Sequence, residues 1–246
     1  MNLASAGEDV DKVRKDRGKA SGQKPRVHES LHTVAYGLAG APDLAHTPAH
    51  VRRMGGRDGK SRLGRNDWVL AGLRVLVQGG LAAVKAEAPA RDIGATKGSF
   101  YWHFKGLSEL RHMMLDLWEE VATRAITQTV QTWGLDGRGR LILLADMVPI
   151  LLGGAFGGVA LEPALRDWGR TEPRARAVPE RVDRQRLDDL AGFLRAAGVL
   201  ETEVAANAQP ICAGVIGLES LHLTTGAEMR PAMRALVENL LENTTG

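Results

Sequence analysis

From Asn66 to the end of the chain, apolar residues recur at spacings of three and four, a rhythm that admits helices and little else. Leu70, Leu73, Leu76 and Val77 fall on one such stripe. Leu187, Leu190, Ala191 and Leu194 fall on another, with Arg184, Arg186, Asp188 and Asp189 pointing elsewhere as a solvated face. β-Branched runs are scarce and aromatics make up 4% of the chain, so intrinsic propensity agrees with the periodicity. The fold class expected is all-α, and 246 residues with 44% hydrophobic content can fill a substantial core.

The rhythm is missing from residues 1–62, which are rich in Gly, Ser, Pro, Lys and Arg and lack the apolar surface to order themselves. We expect a disordered basic tail there, and Met54, followed by Gly-Gly-Arg-Asp-Gly-Lys, offers an alternative start. Charge is uneven along the chain. Residues 1–62 hold 12 Lys+Arg against 7 Asp+Glu, residues 63–110 hold 6 against 4, and residues 111–246 hold 14 against 18. Only the front half is therefore suited to a polyanion, nucleic acid ahead of a membrane surface.

Other function classes find little support. His28-Glu29-Ser30-Leu31-His32 matches the pattern in which two histidines one helical turn apart bind zinc beside a glutamate base, the basis of an alternative reading as a zinc-dependent hydrolase. Pro25 before it and Gly37, Gly40 and Pro42 after it leave no buried helix or third ligand for such a site, so neither metal nor cofactor is expected. Leu141 to Leu161 carries only Asp146 as a charge, but Pro149 and the pairs Gly153-Gly154 and Gly157-Gly158 interrupt it, so it reads as a buried helix and not a membrane span. Met1 to Lys24 has no apolar core of a secretion signal, and the single Cys212 excludes an internal disulfide; a reducing, cytoplasmic location is expected.

Helix starts and stops divide the ordered part. Asn66 is a candidate N-cap with Asp67 in the first turn, and Gly79-Gly80 ends the first helix. Ala86 to Ile93 reads as a second helix closed by Gly94, Thr96 caps a third from Lys97 to Phe104, and a fourth runs from about Leu107 to Thr132. Further helices are expected at about 138–153, 160–168, 173–197, 202–224 and 229–243. The corner Ile93-Gly94-Ala95-Thr96 joins two short helices as a helix-turn-helix does, so that the second projects toward a major groove. Phe100 and Phe104 share its inner stripe. Thr96, Lys97, Ser99, Tyr101 and His103 then face outward as donors for phosphate oxygens, Gly98 permits close backbone approach, and Trp102 and Lys105 complete the outer surface.

The run Ala95-Thr96-Lys97-Gly98-Ser99-Phe100-Tyr101-Trp102-His103-Phe104-Lys105 resembles the recognition-helix segment of the tetracycline-repressor-like (TetR) family. The resemblance extends over about residues 64–118, and more loosely to Trp168 and Val182-Asp183-Arg184-Gln185-Arg186-Leu187. It implies a transcription regulator, a repressor released from a palindromic operator by a small molecule, with no enzymatic activity. By the same resemblance Tyr101 and His103 bind phosphates, Lys97 and Ser99 read bases or backbone, and the phenylalanines anchor the helix. Pro89 stands where the family usually has a core leucine, and Leu107 where many members have a lysine.

This organisation implies a helix-turn-helix domain over residues 63–110 and a helical effector-binding and dimerisation domain over residues 111–246. The partners expected are double-stranded DNA, a second copy of the chain and a small-molecule effector, with no membrane. Candidate dimer residues are Ile211, Gly214, Val215, Leu218, Leu221, Met233, Leu236, Val237 and Leu240 on the last two helices. Candidate effector-pocket residues are Met147, Leu151, Phe156, Trp168, Leu190, Leu194 and His222, large or soft groups on helices expected to converge.

Overall fold

The computed structural model describes residues 63–151 and 157–243, and within them every regular element is a helix. The helices are α1 (Arg65–Ala83), α2 (Glu87–Asp92), α3 (Lys97–His103), α4 (Leu107–Glu120), α5 (Ile126–Thr132), α6 (Gly137–Leu151), α7 (Leu161–Thr171), α8 (Pro173–Ala196), α9 (Glu201–Thr225) and α10 (Met229–Asn243). The tail at residues 1–62, with His28, Glu29, His32 and Met54, lies outside the described residues.

Three expected boundaries shift for local reasons. α1 is capped at Gly64 and not at Asn66, because the Asp67 carboxylate reaches back to accept the Gly64 N–H at 2.7 Å. It continues past Gly79 to Ala83, but Gly80 takes φ 67° and interrupts the helical path, so the break falls where the glycine pair placed it. α3 ends at His103, and Phe104 turns extended at φ −134°. The expected fourth helix is present as α4 and α5 joined by a π-helical turn, Val121–Ala125.

Two apolar cores result. The front core gathers Trp68, Leu73 and Leu76 of α1, Phe100 and Phe104, Leu110, Met114, Leu115 and Trp118 of α4, Leu165 and Trp168 of α7, and Ala175, Val178 and Val182 from the first half of α8. The rear core gathers Val130, Leu141, Ala145 and Val148 with Leu190, Phe193 and Leu194 from the second half of α8, and Val204, Ile211, Val215, Met233, Val237 and Leu241 from α9 and α10. α8 is thus a member of both. Gly137 lets α6 start against the end of α8, since a Cβ there would lie 2.1 Å from the Ala197 nitrogen. No helix among the described residues is long and apolar enough to cross a membrane.

Candidate nucleic-acid interface

The corner between α2 and α3 is built from backbone. Gly94 adopts φ 67°, and the Ala95 N–H reaches the Ala90 carbonyl at 2.8 Å, so α2 stops and the chain reverses. Thr96 then caps α3, its Oγ1 accepting the Ser99 N–H at 3.2 Å. Pro89 is the third residue of α2, within the first turn, where an amide has no intrahelical partner to lose.

Aromatic packing sets which way α3 faces. Phe100 and Phe104 are buried and stack at 5.1 Å, and Trp68 of α1 meets Phe100 edge-on at 5.6 Å. With that side fixed, the opposite side is presented to solvent: Trp102 is 90% and Tyr101 58% exposed. Thr96, Lys97, Gly98 and Lys105 are exposed, and Ser99 and His103 half-buried. All eight residues expected to contact DNA therefore lie at one end of the molecule, on or beside α3.

Ion pairs hold this end together. Arg74 of α1 binds Asp92 of α2, and Arg65 binds Glu109 of α4 while its guanidinium stands 5.0 Å from the Phe104 ring centre. The Lys105 N–H donates to Glu109 at 2.7 Å, and this bond, followed by Arg65, holds the Glu109 carboxyl below its ordinary range. Lys97 is bonded to Glu87 of α2 at 2.6 Å, so the cation expected to face DNA already has an anionic partner, which raises the lysine and lowers the glutamate.

Behind this end, an apolar cavity of about 80 Å³ lies at the seam of the two cores. Trp118 and Leu161 of the front core and Val148, Leu190, Phe193, Ile211 and Met233 of the rear core line it, and the π turn contributes Val121, Ala122 and Thr123. Its polar wall is Arg186, Asp189, Thr127 and Cys212; Thr127 donates to Asp189 at 2.6 Å, and burial raises the Cys212 thiol.

No protein-family model matches the sequence, and no curated protein sequence matches it. Solved structures do. A TetR-family regulator from Streptomyces coelicolor aligns with TM-score 0.61 at 18% identity, covering 74% of this chain and 90% of its own. A TetR-family transcriptional regulator from Rhodococcus sp. gives TM-score 0.59 at 18% identity, covering 74% and 98%. A transcriptional regulator from Saccharomonospora viridis, solved with choline, gives 0.61 at 17%, covering 72% and 95%. The described chain has the TetR-family fold.

Within this TetR-family fold the described residues among those expected to form an effector pocket are spread over several places. Of those described, Leu190 lines the cavity and Met147, Trp168, Leu194 and His222 do not. Trp168 belongs to the front core, its Nε1 donating to Glu172 at 2.7 Å, and Leu194 packs deeper in the rear core. Met147 is a half-buried neighbour of that core, and His222 sits near the end of α9, its Nδ1 2.9 Å from the Ala227 oxygen. The Leu151 side chain and Phe156 lie outside the described residues.

The expected dimer set divides as well. Ile211, Val215, Met233 and Val237 are buried inside the protomer and have no area left to offer a second copy. Gly214 serves the α9–α10 contact, since a Cβ there would come 2.7 Å from Leu236, while Leu218, Leu236 and Leu240 are half-buried against the rear core. Leu221 alone is open, at 51% exposure. The face that α9 and α10 leave outward carries Pro210, Ala213, Gly217 and Leu221 on one helix and Ala232 and Ala235 on the other.

Sequence reasoning also missed a buried charge cluster around Glu162 and Glu219. The available signal was Glu219 as the only Asp, Glu, Lys or Arg between Val204 and Thr225.

Proposed function

We propose that this chain is a sequence-specific DNA-binding transcription regulator, with residues 63–110 as its DNA-binding unit and residues 111–246 as its effector-binding and dimerisation unit. The observation that carries the reading is α3 itself. Its inner side is fixed by two phenylalanines, and its outer side presents the exposed Tyr101 and Trp102 beside the donors Thr96, Lys97, Ser99 and His103. A solvent-exposed tryptophan beside donors fits phosphate and groove contacts better than an idle surface.

The chain acts as a homodimer in the cytoplasm, two copies meeting through the outward face of α9 and α10 so that both α3 helices reach successive major grooves. A small molecule in the seam cavity shifts the population toward a half-site spacing that no longer fits the operator, which makes the chain a repressor and not an enzyme. The choline-bound regulator of the same fold supports a small organic effector. α7 supplies the physical link: Leu161 lines the cavity while Leu165 and Trp168 pack in the front core.

Selection from random duplexes tests this reading. A palindrome with half-sites about 34–36 Å apart, or a multiple of that, should be enriched, and its affinity should fall steeply with salt. Failure to enrich any sequence, or binding indifferent to salt, would overturn it.

A further inference from the structure

At the end of the cavity, charges do not balance. Glu162 of α7 is fully buried and is gripped by Arg186 of α8 at 2.8 and 3.0 Å and by Arg166 of α7 at 2.6 and 3.0 Å. Arg166 also binds Asp183 at 2.6 and 3.0 Å. These two arginines are matched by two carboxylates. A third, Glu219 of α9, is buried at 0% exposure beside them, and neither of its oxygens has a hydrogen-bond partner among the described residues. Such an orphan in a folded interior calls for a missing partner.

The orphan stands one helical turn beyond the cavity lining. Ile211, Cys212 and Val215 of α9 line the cavity, and Glu219 follows Val215 by four residues on the same face. Arg186 lines it too, and Glu162 adjoins the lining residue Leu161. The site thus offers largely apolar walls and, one helical turn past the lining residue Val215, a carboxylate in surplus over the two arginines.

We propose that the cavity takes an organic cation, an amine or quaternary ammonium with an apolar body, whose charged head pairs with Glu219. The inference rests on the cavity being the effector site and adds the class of effector. An anionic ligand would add a fourth negative charge next to a carboxylate that no arginine holds. A bare metal ion would find Glu219 alone at that end, since Glu162 is already occupied by two guanidiniums and the Asp189 carboxylate of the polar wall already accepts from Thr127 and Gln185. An apolar body against those walls with a cation at the carboxylate satisfies both features.

When no cation is bound, a proton stands in for that head. Burial, then the charge of Glu162, pushes the Glu219 carboxyl up to about 8, with Arg186 and Arg166 acting in the opposite direction. Among the described residues, the 3-10 turn Gly158–Ala160 against α9 has no titratable side chain, and Arg230 and Arg234 of α10 turn to Asp146. On α9 itself the titratable groups nearest in sequence are His222, whose ring meets the Ala227 carbonyl, and Cys212, and Asp183 is tied to Arg166. Binding a cation at neutral pH therefore expels one proton into solvent, and affinity should rise about tenfold per pH unit below pH 8 and flatten above it.

Calorimetry on the full chain with hexyltrimethylammonium, hexanol and hexanoate decides the matter. The expected result is a cation bound at least about tenfold more tightly than hexanol, hexanoate weaker still, and release of close to one proton at pH 6.5, read from buffers of different ionisation enthalpy. Glu219→Gln should abolish proton release and cation preference and leave hexanol binding unchanged. Hexanoate as the tightest probe, cation binding without proton release in the parent protein, or no binding of any probe would overturn the proposal. The proton measurement needs no variant. Binding of the selected duplex is measured on the same preparation: if it persists while the cation result fails, this inference alone falls, and if it is absent, the regulator reading falls whatever the cation does.

Discussion

The front core is closed by rings and the rear core by aliphatic side chains. Trp68, Phe100, Phe104, Trp118 and Trp168 meet at the front, whereas Phe193 is the one aromatic ring among the buried residues of the rear core. A ring has two stiff torsions and preferred contact angles, so the front core fixes the orientation of α3 as well as its position. Aliphatic side chains fix volume more than orientation, and the cavity opens where they meet the rings. One region is built to hold a surface still and the other to admit something.

The sharpest way to break that contrast is to truncate on each side of it. Phe100→Ala should cost about 3–5 kcal/mol in a denaturant titration followed by circular dichroism, because it empties the centre of the ring cluster. Leu190→Ala, which enlarges an existing cavity wall, should fall at the low end of its range, about 2 kcal/mol. Equal losses would mean that both cores are packed alike. Next in size, Leu221→Glu should convert dimer to monomer in sedimentation, by about 3 kcal/mol of association, with far-ultraviolet dichroism unchanged because the side chain is outside both cores. An intact dimer would remove the outward face of α9 from the interface.

Smaller effects sharpen the comparison at the surface. Tyr101→Phe and His103→Ala should each weaken binding to all duplexes by about 1–2 kcal/mol while sequence preference and folding persist, as for one hydrogen bond to a charged group. Parental binding at several salt concentrations would take α3 out of the groove. Lys97→Ala should lower the salt slope by less than the full unit expected of a free phosphate-binding lysine, because a phosphate must displace Glu87 from it. Glu87→Gln should tighten binding and restore the full unit.

The same contrast explains what could be read from sequence. The α2–α3 corner was legible because its determinants are local: Gly94 for a positive φ, Thr96 for a cap, two phenylalanines four apart. The helices behind it were legible as helices, within a few residues at each end, but not in their partners. α9 is small or apolar around most of its circumference, so periodicity could not tell its inward side, Ile211 and Val215, from its outward side, Ala213 and Gly217. Trp168 reads equally well as a pocket wall or as core until α1 is seen packed against α7. The Glu162 cluster joins residues from α7, α8 and α9, and pairings at that separation leave no local pattern.

α8 passes through both cores, from Ala175, Val178 and Val182 in the first to Leu190, Phe193 and Leu194 in the second. A chain with such a shared member cannot melt one half and keep the other, so heating should give a single cooperative transition whose calorimetric and van't Hoff enthalpies agree. Nor should the front unit survive excision at Leu110, since α1 packs on both α4 and α7 and would lose Met114, Leu115, Leu165 and Trp168 together. Groove-reading geometry in this chain is then a property of the wider helical array, acquired only when α7 and the first half of α8 have folded onto α1 and α4.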